Sequence, residues 1–384
     1  MRVPELTELL LRCADCGRDH PVPELAWQCA DCAGLLNLHG TVPTMPNPAV
    51  LASRPPTLWR YRESLPLPVP AGLTMGEGMT PLLDAPSSGP EPVQVKLDYL
   101  MPTGSFKDRG AVLLVALAAA LGVPRLIADS SGNAGTAIAA YAARAGIGCE
   151  VFVPGTTSEG KLGQLRGYGA EVHLVDGNRE DTAAAAVDAV RRRGLFYASH
   201  VYQPIFLHGT KTYLLELWEQ RDGRLPDTLV LPVGNGTLVL GAYLGGLELA
   251  EQGLIDRLPR IVAVQAASCA PLAEALADGL PEPAPISAVR SSVGVGSTIA
   301  EGIAIARPAR GKQILAAIRA TGGTIITVAD DEVRAAHAAL ARLGLYVEPT
   351  SAVCWAAYSA GRTGAGSAVI PLCGSGLKST PPGH

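Results

Sequence analysis

Two kinds of apolar run alternate along the chain from residue 125 to residue 372. Short runs of strand length are followed by longer runs in which apolar residues recur at helical spacing. We predict strands at 125–131, 149–154, 170–177, 228–236, 260–266, 324–329 and 367–372. We predict helices at 132–146, 158–169, 181–194, 211–223, 237–253, 311–321, 330–343 and 351–361. This order is typical of parallel sheets with helices on both faces, so the predicted fold class is α/β, with two doubly wound three-layer domains.

The first third of the chain has a different pattern. Residues 41–70 are rich in proline and predict an extended connector, and residues 73–86 predict a turn-rich stretch. Residues 93–100 alternate as a strand does, and the apolar run 111–121 predicts a helix. Within the later α/β part, residues 278–298 predict a loop.

Composition and charge narrow the class of protein. The chain has 384 residues, of which 48% are hydrophobic and 17% charged, which is enough for two or three domains with a large core. A formal net charge of −4 gives no bulk attraction to nucleic acid or to an anionic membrane. Residues 1–12 lack the long apolar core of a secretory signal, and the apolar run 111–121 is too short to span a bilayer. We therefore expect a cytoplasmic protein.

Four of the eight cysteines form two C-x-x-C pairs, Cys13 with Cys16 and Cys29 with Cys32. Each pair lies in a tight turn that aims two thiolates at one point, and two such turns complete a tetrahedral site for structural Zn²⁺. We predict a zinc-ribbon-like segment over residues 1–42, whose folding the metal would stabilise. The alternative is a reduced segment without metal. His20 and His39 are expected to be ordinary polar residues, because four cysteines fill the shell.

The segment PTGSFKDRG, residues 102–110, places Lys107 where a loop leads into the predicted helix. The positive end of a helix dipole disfavours an ammonium, and burial lowers the pKa of a lysine. Such a lysine is a nucleophile toward aldehydes and forms a Schiff base with them. The alternative is a solvated lysine beside Asp108 and Arg109, because most lysines are solvated.

Two later loops place small polar residues before a helix. Residues 130–135, SSGNAG, predict a site for a small anion or a carboxylate, and the alternative is an ordinary helix cap by Ser131 or Asn133. Residues 232–238, PVGNGTL, predict a site for one compact phosphate. They lack both the lysine of a P-loop and the G-x-G-x-x-G spacing, so a nucleoside triphosphate or a dinucleotide is not favoured.

A further loop, PLCGSG at residues 371–376, also follows an apolar strand. Cys373 and Ser375 offer weak, neutral hydrogen-bonding groups there, and the alternative for Cys373 is a buried hydrophobe. An activated lysine and two anion-binding loops on an α/β scaffold together suit pyridoxal phosphate (PLP), whose ring acts as an electron sink for an amino-acid Cα.

At these residues the chain resembles threonine synthase, within the fold type II (tryptophan synthase β-like) PLP enzymes. GEGMTPL at 76–82 resembles the family's G-E-G-N-T-P-L. PTGSFKDRG resembles the family's lysine motif at every position. SSGNAG and PVGNG resemble its S-T-G-N loop and its phosphate loop, and a cysteine-containing N-terminus also occurs in the family. The resemblance implies the PLP fold type II architecture for both α/β domains.

The resemblance also implies roles for individual residues. It implies that Lys107 is the catalytic residue and forms the Schiff base with the cofactor. The other cofactor-binding positions it implies are Phe106, Asn133, Gly234, Asn235, Gly236, Thr237, Leu238 and Cys373. The positions it implies for the substrate carboxylate are Thr80, Ser130, Ser131 and Gly132.

The activity that the resemblance implies is elimination of phosphate from O-phospho-L-homoserine and addition of water to give L-threonine. The family has a neutral residue beside the pyridine nitrogen of the cofactor, and the resemblance assigns this position to Cys373. Such a residue favours elimination and replacement over transamination. Phe206 stands where threonine synthases carry an arginine that helps to bind the substrate phosphate. EPTSA at 348–352 and STIAEGIAI at 297–305 resemble serine/threonine dehydratases more closely.

Two alternatives therefore stay open. One is a β-eliminating or β-replacing PLP lyase that acts on another hydroxy or modified amino acid, and the other is a non-catalytic metal-ribbon binding protein. The expected partner is a small-molecule amino-acid substrate, and the resemblance implies a homodimer. The expected domains are a ribbon-like segment at 1–42, a connector and the start of the large PLP domain at 43–105, a small α/β domain at 106–205 and the large PLP-binding domain at 206–384.

Overall fold

The computed structural model of the chain describes residues 6, 9–40, 43–68, 72–86, 92–177, 179–283 and 298–378. In chain order its strands are β1 (Leu10–Cys13), β2 (Asp19–Pro21), β3 (Leu36–His39), β4 (Leu82–Ala85), β5 (Val93–Lys96), β6 (Arg125–Ala128), β7 (Gly148–Pro154), β8 (Glu171–Val175), β9 (Phe196–Tyr197), β10 (Thr228–Pro232), β11 (Arg260–Ala266), β12 (Thr324–Val328) and β13 (Ala368–Pro371). Its α-helices are α1 (Pro48–Ala52), α2 (Lys107–Ala120), α3 (Asn133–Ala145), α4 (Glu159–Gly167), α5 (Arg179–Arg193), α6 (Ile205–Thr210), α7 (Thr212–Gln220), α8 (Thr237–Glu251), α9 (Pro271–Ala277), α10 (Gly311–Ala320), α11 (Asp330–Arg342) and α12 (Pro349–Ser359).

The chain divides into two compact units. The first unit comprises Met1–Gly78 and Lys107–Thr212, and the second comprises Met79–Phe106 and Tyr213–His384. A division by proximity does not say which segments fold independently, so the predicted domains 1–42, 43–105, 106–205 and 206–384 stay a prediction.

The first unit contains a small antiparallel sheet of order β2-β1-β3 and a parallel sheet of order β8-β7-β6-β9. Successive residues of β6 point to opposite faces of the parallel sheet. Leu126 and Ala128 join a core with α2, α3 and α4, whereas Ile127 joins a second core with α5. Helices therefore cover both faces, which confirms the α/β fold class.

The second unit contains a six-stranded sheet of order β12-β11-β10-β13-β5-β4. All its neighbouring strands are parallel except β4, which runs antiparallel to β5 at one edge. All five residues of β10 are buried. Strands buried on both faces appear as continuous apolar runs, which is the pattern from which the sequence predicted them.

Several element predictions were wrong in detail. The turn-rich stretch at 73–86 contains the edge strand β4, and the strand predicted at 93–100 ends at Lys96 because Asp98–Leu100 form a 3-10 turn. The helix predicted at 211–223 begins at Thr212 and ends at Gln220, and the short helix α6 before it was not predicted. Of the loop predicted at 278–298, residues 284–297 lie outside the described residues.

The proline-rich segment is also more structured than an extended connector. Asn47 caps α1 by accepting a hydrogen bond from the Ala49 N–H at 2.8 Å, and a proline occupies the first helical position. A 3-10 helix at Leu58–Ser64 then buries Trp59 and Tyr61. Proline restricts the backbone before and after itself, but the apolar residues between the prolines still pack into the core. None of the helices in the described part of the chain combines the length and apolar character needed to cross a bilayer.

Candidate active site and candidate metal centre

Lys107 is the first residue of α2, as the sequence predicts. Its side chain is half-buried, whereas its neighbours Asp108 and Arg109 are completely buried. The Arg109 guanidinium donates a hydrogen bond of 3.1 Å to Thr212 Oγ1, so it is turned toward the protein interior. The reading of Lys107 as one of a group of solvated surface charges therefore does not fit its surroundings.

Helix α6 lies very close to the first turn of α2. A Cβ built on Gly110 would lie 2.3 Å from two ring carbons of Phe206, and a Cβ on Gly209 would lie 2.0 Å from the Arg109 carbonyl oxygen. Real side chains do not tolerate these distances, so both positions require glycine. Phe206 is thereby pressed against α2, and its ring centroid lies 5.8 Å from Lys107 Nζ.

His200 is a neighbour of this lysine that sequence reasoning missed. Its ring packs edge-on against Phe206 at 5.9 Å, and it is 5% exposed. Burial, and then the positive charges of Lys107 and Arg179, hold the pKa of His200 well below its usual range. A neutral imidazole therefore stands beside the apolar ring. A lone histidine after a two-residue strand carries no sequence signal that would have identified it.

The serine loop, which we define as residues 130–132, links β6 to α3. The N-cap of α3 is Gly132 in an extended conformation, so the expected alternative of a cap by Ser131 or Asn133 is wrong. Ser130 is buried, Ser131 and Asn133 are half-buried, and Gly132 is exposed. A Cβ on Gly135 would lie 1.8 Å from the Ser130 carbonyl oxygen, which shows how closely this loop lies against α3.

The glycine loop, which we define as residues 234–236, links β10 to α8. Gly236 is the N-cap of α8 with φ of 73°, a conformation that favours glycine. A Cβ on Gly234 would lie 2.8 Å from Ile305 Cγ1, and one on Gly236 would lie 2.3 Å from Ile314 Cδ1. Because the cap residue has no side chain, it offers no oxygen to the first N–H groups of α8, including those of Thr237 and Leu238.

Two predicted cofactor positions that are far apart in sequence meet within the second unit. The Phe106 N–H donates to the Cys373 carbonyl oxygen at 2.8 Å, and the Ser375 N–H donates to the Gly104 carbonyl oxygen at 2.9 Å. Phe106 is 9% exposed and Cys373 is 1% exposed. The structure therefore brings the residue before Lys107 into register with the loop that carries Cys373.

Glu348 lies beside this loop and was also missed. A Cβ on Gly374 would lie 2.3 Å from the carboxyl carbon of Glu348, and the Glu348 N–H donates to the Gly374 carbonyl oxygen at 2.9 Å. A carboxylate thus packs against the residue that follows Cys373. The segment EPTSA contains this glutamate, but the motif alone does not show that its carboxylate packs against Gly374.

Thr80 belongs to a buried polar network within the second unit. Its Oγ1 donates to Asp98 Oδ1 at 2.7 Å, and its carbonyl oxygen accepts from Lys96 Nζ at 2.6 Å and from Gln220 Nε2 at 2.9 Å. Lys96 also forms a completely buried ion pair of 2.8 Å with Glu216. The Thr80 hydroxyl therefore has a protein partner in this structure, and the network fixes the position of its backbone.

The four predicted metal ligands come together at the end of the small sheet. Cys13 Sγ lies 3.5 Å from Cys32 Sγ, Cys16 Sγ lies 3.6 Å from Cys29 Sγ, and all four sulfur atoms lie within 4.8 Å of one another. The two turns are alike, because the carbonyl oxygens of Cys13 and Cys29 accept from the N–H groups of Gly17 and Ala33.

The environment of the sulfur atoms fits a divalent metal such as Zn²⁺. Burial raises the pKa of Cys13, but the N–H groups of Cys16 and Asp15 and the neighbouring thiols outweigh it and lower the pKa to about 7. A thiolate is the form that binds metal. His20 Nε2 lies 3.4 Å from Cys29 Sγ, so this buried histidine contacts a ligand atom rather than being an ordinary polar residue.

Lys107 and the start of α8 each have the chemistry that one part of PLP requires. The first unit supplies a half-buried primary amine at the start of a helix. The second unit supplies a helix N-terminus whose cap is a glycine and whose first residues are buried. An amine and a helix N-terminus are the groups that an aldehyde and a phosphate require.

Comparisons with known proteins also indicate a PLP enzyme. Residues 73–374 match the family of pyridoxal-phosphate dependent enzymes. The chain is 35% identical to a threonine synthase of Methanosarcina acetivorans over 89% of this chain and 84% of that protein. It is 36% identical to a threonine synthase of Synechocystis sp. over 88% of this chain and 90% of that protein.

Solved structures agree on the fold. A threonine deaminase of T.th. superimposes with a TM-score of 0.66 at 26% identity, over 79% of this chain and 94% of that one. Maize serine racemase superimposes with a TM-score of 0.65 at 21% identity, over 77% and 88% of the two chains, which bears on the fold alone. With these matches, the reading as a non-catalytic ribbon protein is wrong: the chain belongs to the threonine synthase family of pyridoxal-phosphate-dependent lyases.

Proposed function

We propose that this protein is a PLP-dependent threonine synthase, which eliminates phosphate from O-phospho-L-homoserine and adds water to give L-threonine. The observation that carries this proposal is the placement of Lys107, the lysine of PTGSFKDRG, as a half-buried first residue of α2. Relatives that carry the name threonine synthase align with this chain over 84% to 92% of their own length, which supports the same overall reaction.

PLP, when bound, withdraws electrons from the Cα of the amino acid and so makes the loss of a proton there easier. Lys107 Nζ would hold the cofactor covalently, and its amine would take the proton from Cα and move protons at Cβ and Cγ. The buried Asp108 and Arg109, which follow it in the chain, keep this end of α2 fixed.

The first turn of α8 binds the cofactor phosphate through its backbone N–H groups and its helix dipole, with the glycine loop as the approach. The residues proposed for this role are Gly234, Asn235, Gly236, Thr237 and Leu238. The resemblance to threonine synthases supports the roles of three further residues: Phe106 and Cys373 would lie beside the cofactor ring, and Asn133 would bind its phenolic oxygen. The serine loop and Thr80 would receive the substrate carboxylate, as the resemblance implies.

We further propose structural Zn²⁺ at the four cysteines of the ribbon, a homodimer, and a cytoplasmic location. The sulfur cluster supports the metal, and the resemblance to threonine synthases supports the dimer. Metal analysis of the purified chain and light scattering test these two points directly.

The test of the main proposal is Lys107→Ala, assayed for phosphate release and threonine formation from O-phospho-L-homoserine. We expect activity to be lost and the absorbance of the covalently bound cofactor to disappear while the fold persists. Lys312→Ala is the matched control, because Lys312 is an exposed lysine in the first turn of another helix, α10. Full activity of Lys107→Ala would overturn the assignment.

Phe206 favours a second candidate, a PLP lyase that eliminates or replaces a group at Cβ of serine, threonine or a modified relative. A bidentate guanidinium is the usual partner of a phosphate, and this position instead holds a buried ring pressed against Gly110. The two candidates separate in one assay of the wild-type protein. Phosphate release from O-phospho-L-homoserine supports the first candidate, and formation of a 2-oxo acid from serine or threonine without it supports the second.

A further inference from the structure

Trp27, in the cysteine-rich ribbon, reaches out of the ribbon into an aromatic cluster of the parallel sheet. Its ring centroid lies 5.0 Å from that of Tyr197 and 5.2 Å from that of Tyr202, both in edge-on geometry. The guanidinium of Arg191 in α5 lies 5.7 Å from the same ring. Edge-on aromatic pairs and a cation over a ring are each attractive beyond simple burial.

Tyr197 connects this cluster to the serine loop. It lies in β9, the two-residue edge strand, in register with Ile127 of β6, and the Ala198 N–H donates to the Ile127 carbonyl oxygen at 2.7 Å. Strand β6 ends directly before Asp129 and the serine loop. Burial raises the pKa of Tyr197, and the charge of the Asp129 carboxyl raises it further.

Tyr202 connects the cluster to the surroundings of Lys107. It lies in the turn of residues 198–204 between β9 and α6, which also carries His200. Gln203 closes this turn, because its Nε2 donates to the Tyr197 carbonyl oxygen at 3.1 Å and its N–H donates to the Ser199 carbonyl oxygen at 3.0 Å. His200 packs against Phe206, and Phe206 packs against Lys107.

The ribbon has a separate attachment that does not need Trp27. Cys13, Leu36 and their apolar neighbours share one core with α2 and α3, whereas Trp27 packs against the other core, beside α5. Removing the Trp27 ring should therefore leave the ribbon attached. The short edge strand β9 and the turn after it would lose the side chain that covers them.

We propose that Trp27 is a positioning residue through which the loaded cysteine site of the ribbon holds the 198–204 turn and the serine loop in the arrangement that binds the amino acid. Metal at the four cysteines fixes the second cysteine turn, and Trp27 lies two residues before its first cysteine, Cys29. This inference rests on the proposed function in one respect, namely that the protein binds PLP and an amino-acid substrate.

The test begins with amino-acid affinity in the metal-loaded holoenzyme, followed through the absorbance of the bound cofactor. We expect Trp27→Ala to weaken amino-acid binding about tenfold and to raise KM by the same factor with kcat nearly unchanged. Trp27→Phe keeps an aromatic ring and should restore most of the affinity. Arg191→Ala should weaken binding about threefold, whereas Arg192→Ala, whose side chain pairs with Asp188 on the surface, should not.

The deciding measurement combines Trp27→Ala with metal removal by a chelator. In the wild type, metal loss should weaken amino-acid binding about tenfold. The fluorescence of Trp27, obtained as the difference between the wild type and Trp27→Phe, should shift to longer wavelength. In Trp27→Ala, metal loss should cause no further weakening, since the connection is already broken. Equal weakening by chelation in both proteins, or unchanged affinity in folded Trp27→Ala and Arg191→Ala, would overturn the inference. A wild-type protein that binds no pyridoxal phosphate would instead overturn the proposed function.

Discussion

The helices α3 and α8 begin in the same way but are held differently. Each follows a buried parallel strand, and each has glycine as its N-cap. Gly132 before α3 is exposed and extended, and a Cβ there would meet nothing within 4 Å. Gly236 before α8 is buried and left-handed, and a Cβ there would strike Ile314. A tightly packed helix start suits a ligand that stays bound, and an open one suits a ligand that enters and leaves.

The largest expected effect comes from Gly236→Val. A side chain at φ of 73° is strained, and its Cβ would collide with Ile314 in the core. Together these costs should weaken cofactor binding on the order of 100-fold. Equilibrium dialysis of the cofactor measures it. Gly253→Val is the matched control, because Gly253 has φ of 67° just beyond the other end of α8 and open space around it. Similar losses in both variants would mean that only backbone strain matters.

Gly135→Ala should affect the other helix and the other ligand. Its Cβ would overlap the Ser130 carbonyl oxygen, so the serine loop must move. We expect the KM for the amino acid to rise about 30-fold, roughly the effect of losing 2 kcal/mol of binding free energy, with cofactor affinity nearly unchanged. Steady-state kinetics and cofactor dialysis separate the two. Gly160→Ala in α4, where a Cβ meets nothing within 4 Å, should change neither. A loss of cofactor in Gly135→Ala would contradict the division of roles.

Lowering the pH should destabilise the first unit, which contains α3, before the second unit, which contains α8. Burial and the charges of Lys107 and Arg179 depress the pKa of His200, and burial and Lys211 depress that of His208. The unfolded chain therefore binds protons that the folded one does not, so stability is full above a pH of about 6.5 and falls as the pH drops toward the folded pKa values. Each histidine contributes up to about tenfold per pH unit in the unfolding equilibrium.

Hydrogen exchange at pH 7 and pH 5 checks this prediction. Amides of α2 and α6 should lose protection at the lower pH while those of α8 keep theirs. His200→Gln should flatten the pH dependence, whereas equal loss of protection in α6 and α8 would speak against a local cause.

The smallest expected effect comes from Gly132→Ala. The position has φ of −99° and open space, so the substitution is neither strained nor blocked. We expect less than a threefold change in KM and none in cofactor binding, measured beside Gly236→Val. A loss as large as that of Gly236→Val would show that the two helix starts are equivalent after all.

The sequence predicted the strands and helices well where a single strong pattern dominates. The buried strand β11 was predicted with both ends correct, because a strand buried on both faces is a nearly continuous apolar run. Lys107 at the first position of α2 and the four ribbon cysteines were predicted for a similar reason, since each depends on local spacing.

Features that depend on distant contacts could not be predicted in this way. His200 acquires its lowered pKa only because folding buries it near Lys107, and Glu348 meets Gly374 only in the folded sheet. A cap of α3 by Ser131 or Asn133 stayed open as an alternative, because the close approach of Gly135 to Ser130 is invisible in the sequence. Helix α6 was not predicted, because its six residues are too few for a helical period to be recognised.

The close approach of α2 and α6 has a consequence for how substrate preference can change over evolutionary time. Position 206 has room for its ring only because position 110 has no side chain, and α6 lies so near α2 only because position 209 has none. A single replacement of Phe206 by arginine would bury a charge in a space shaped for a flat apolar ring. A change of residue 206 from phenylalanine to arginine therefore requires simultaneous changes in both helices. We expect such a change to be slow in evolution in either direction.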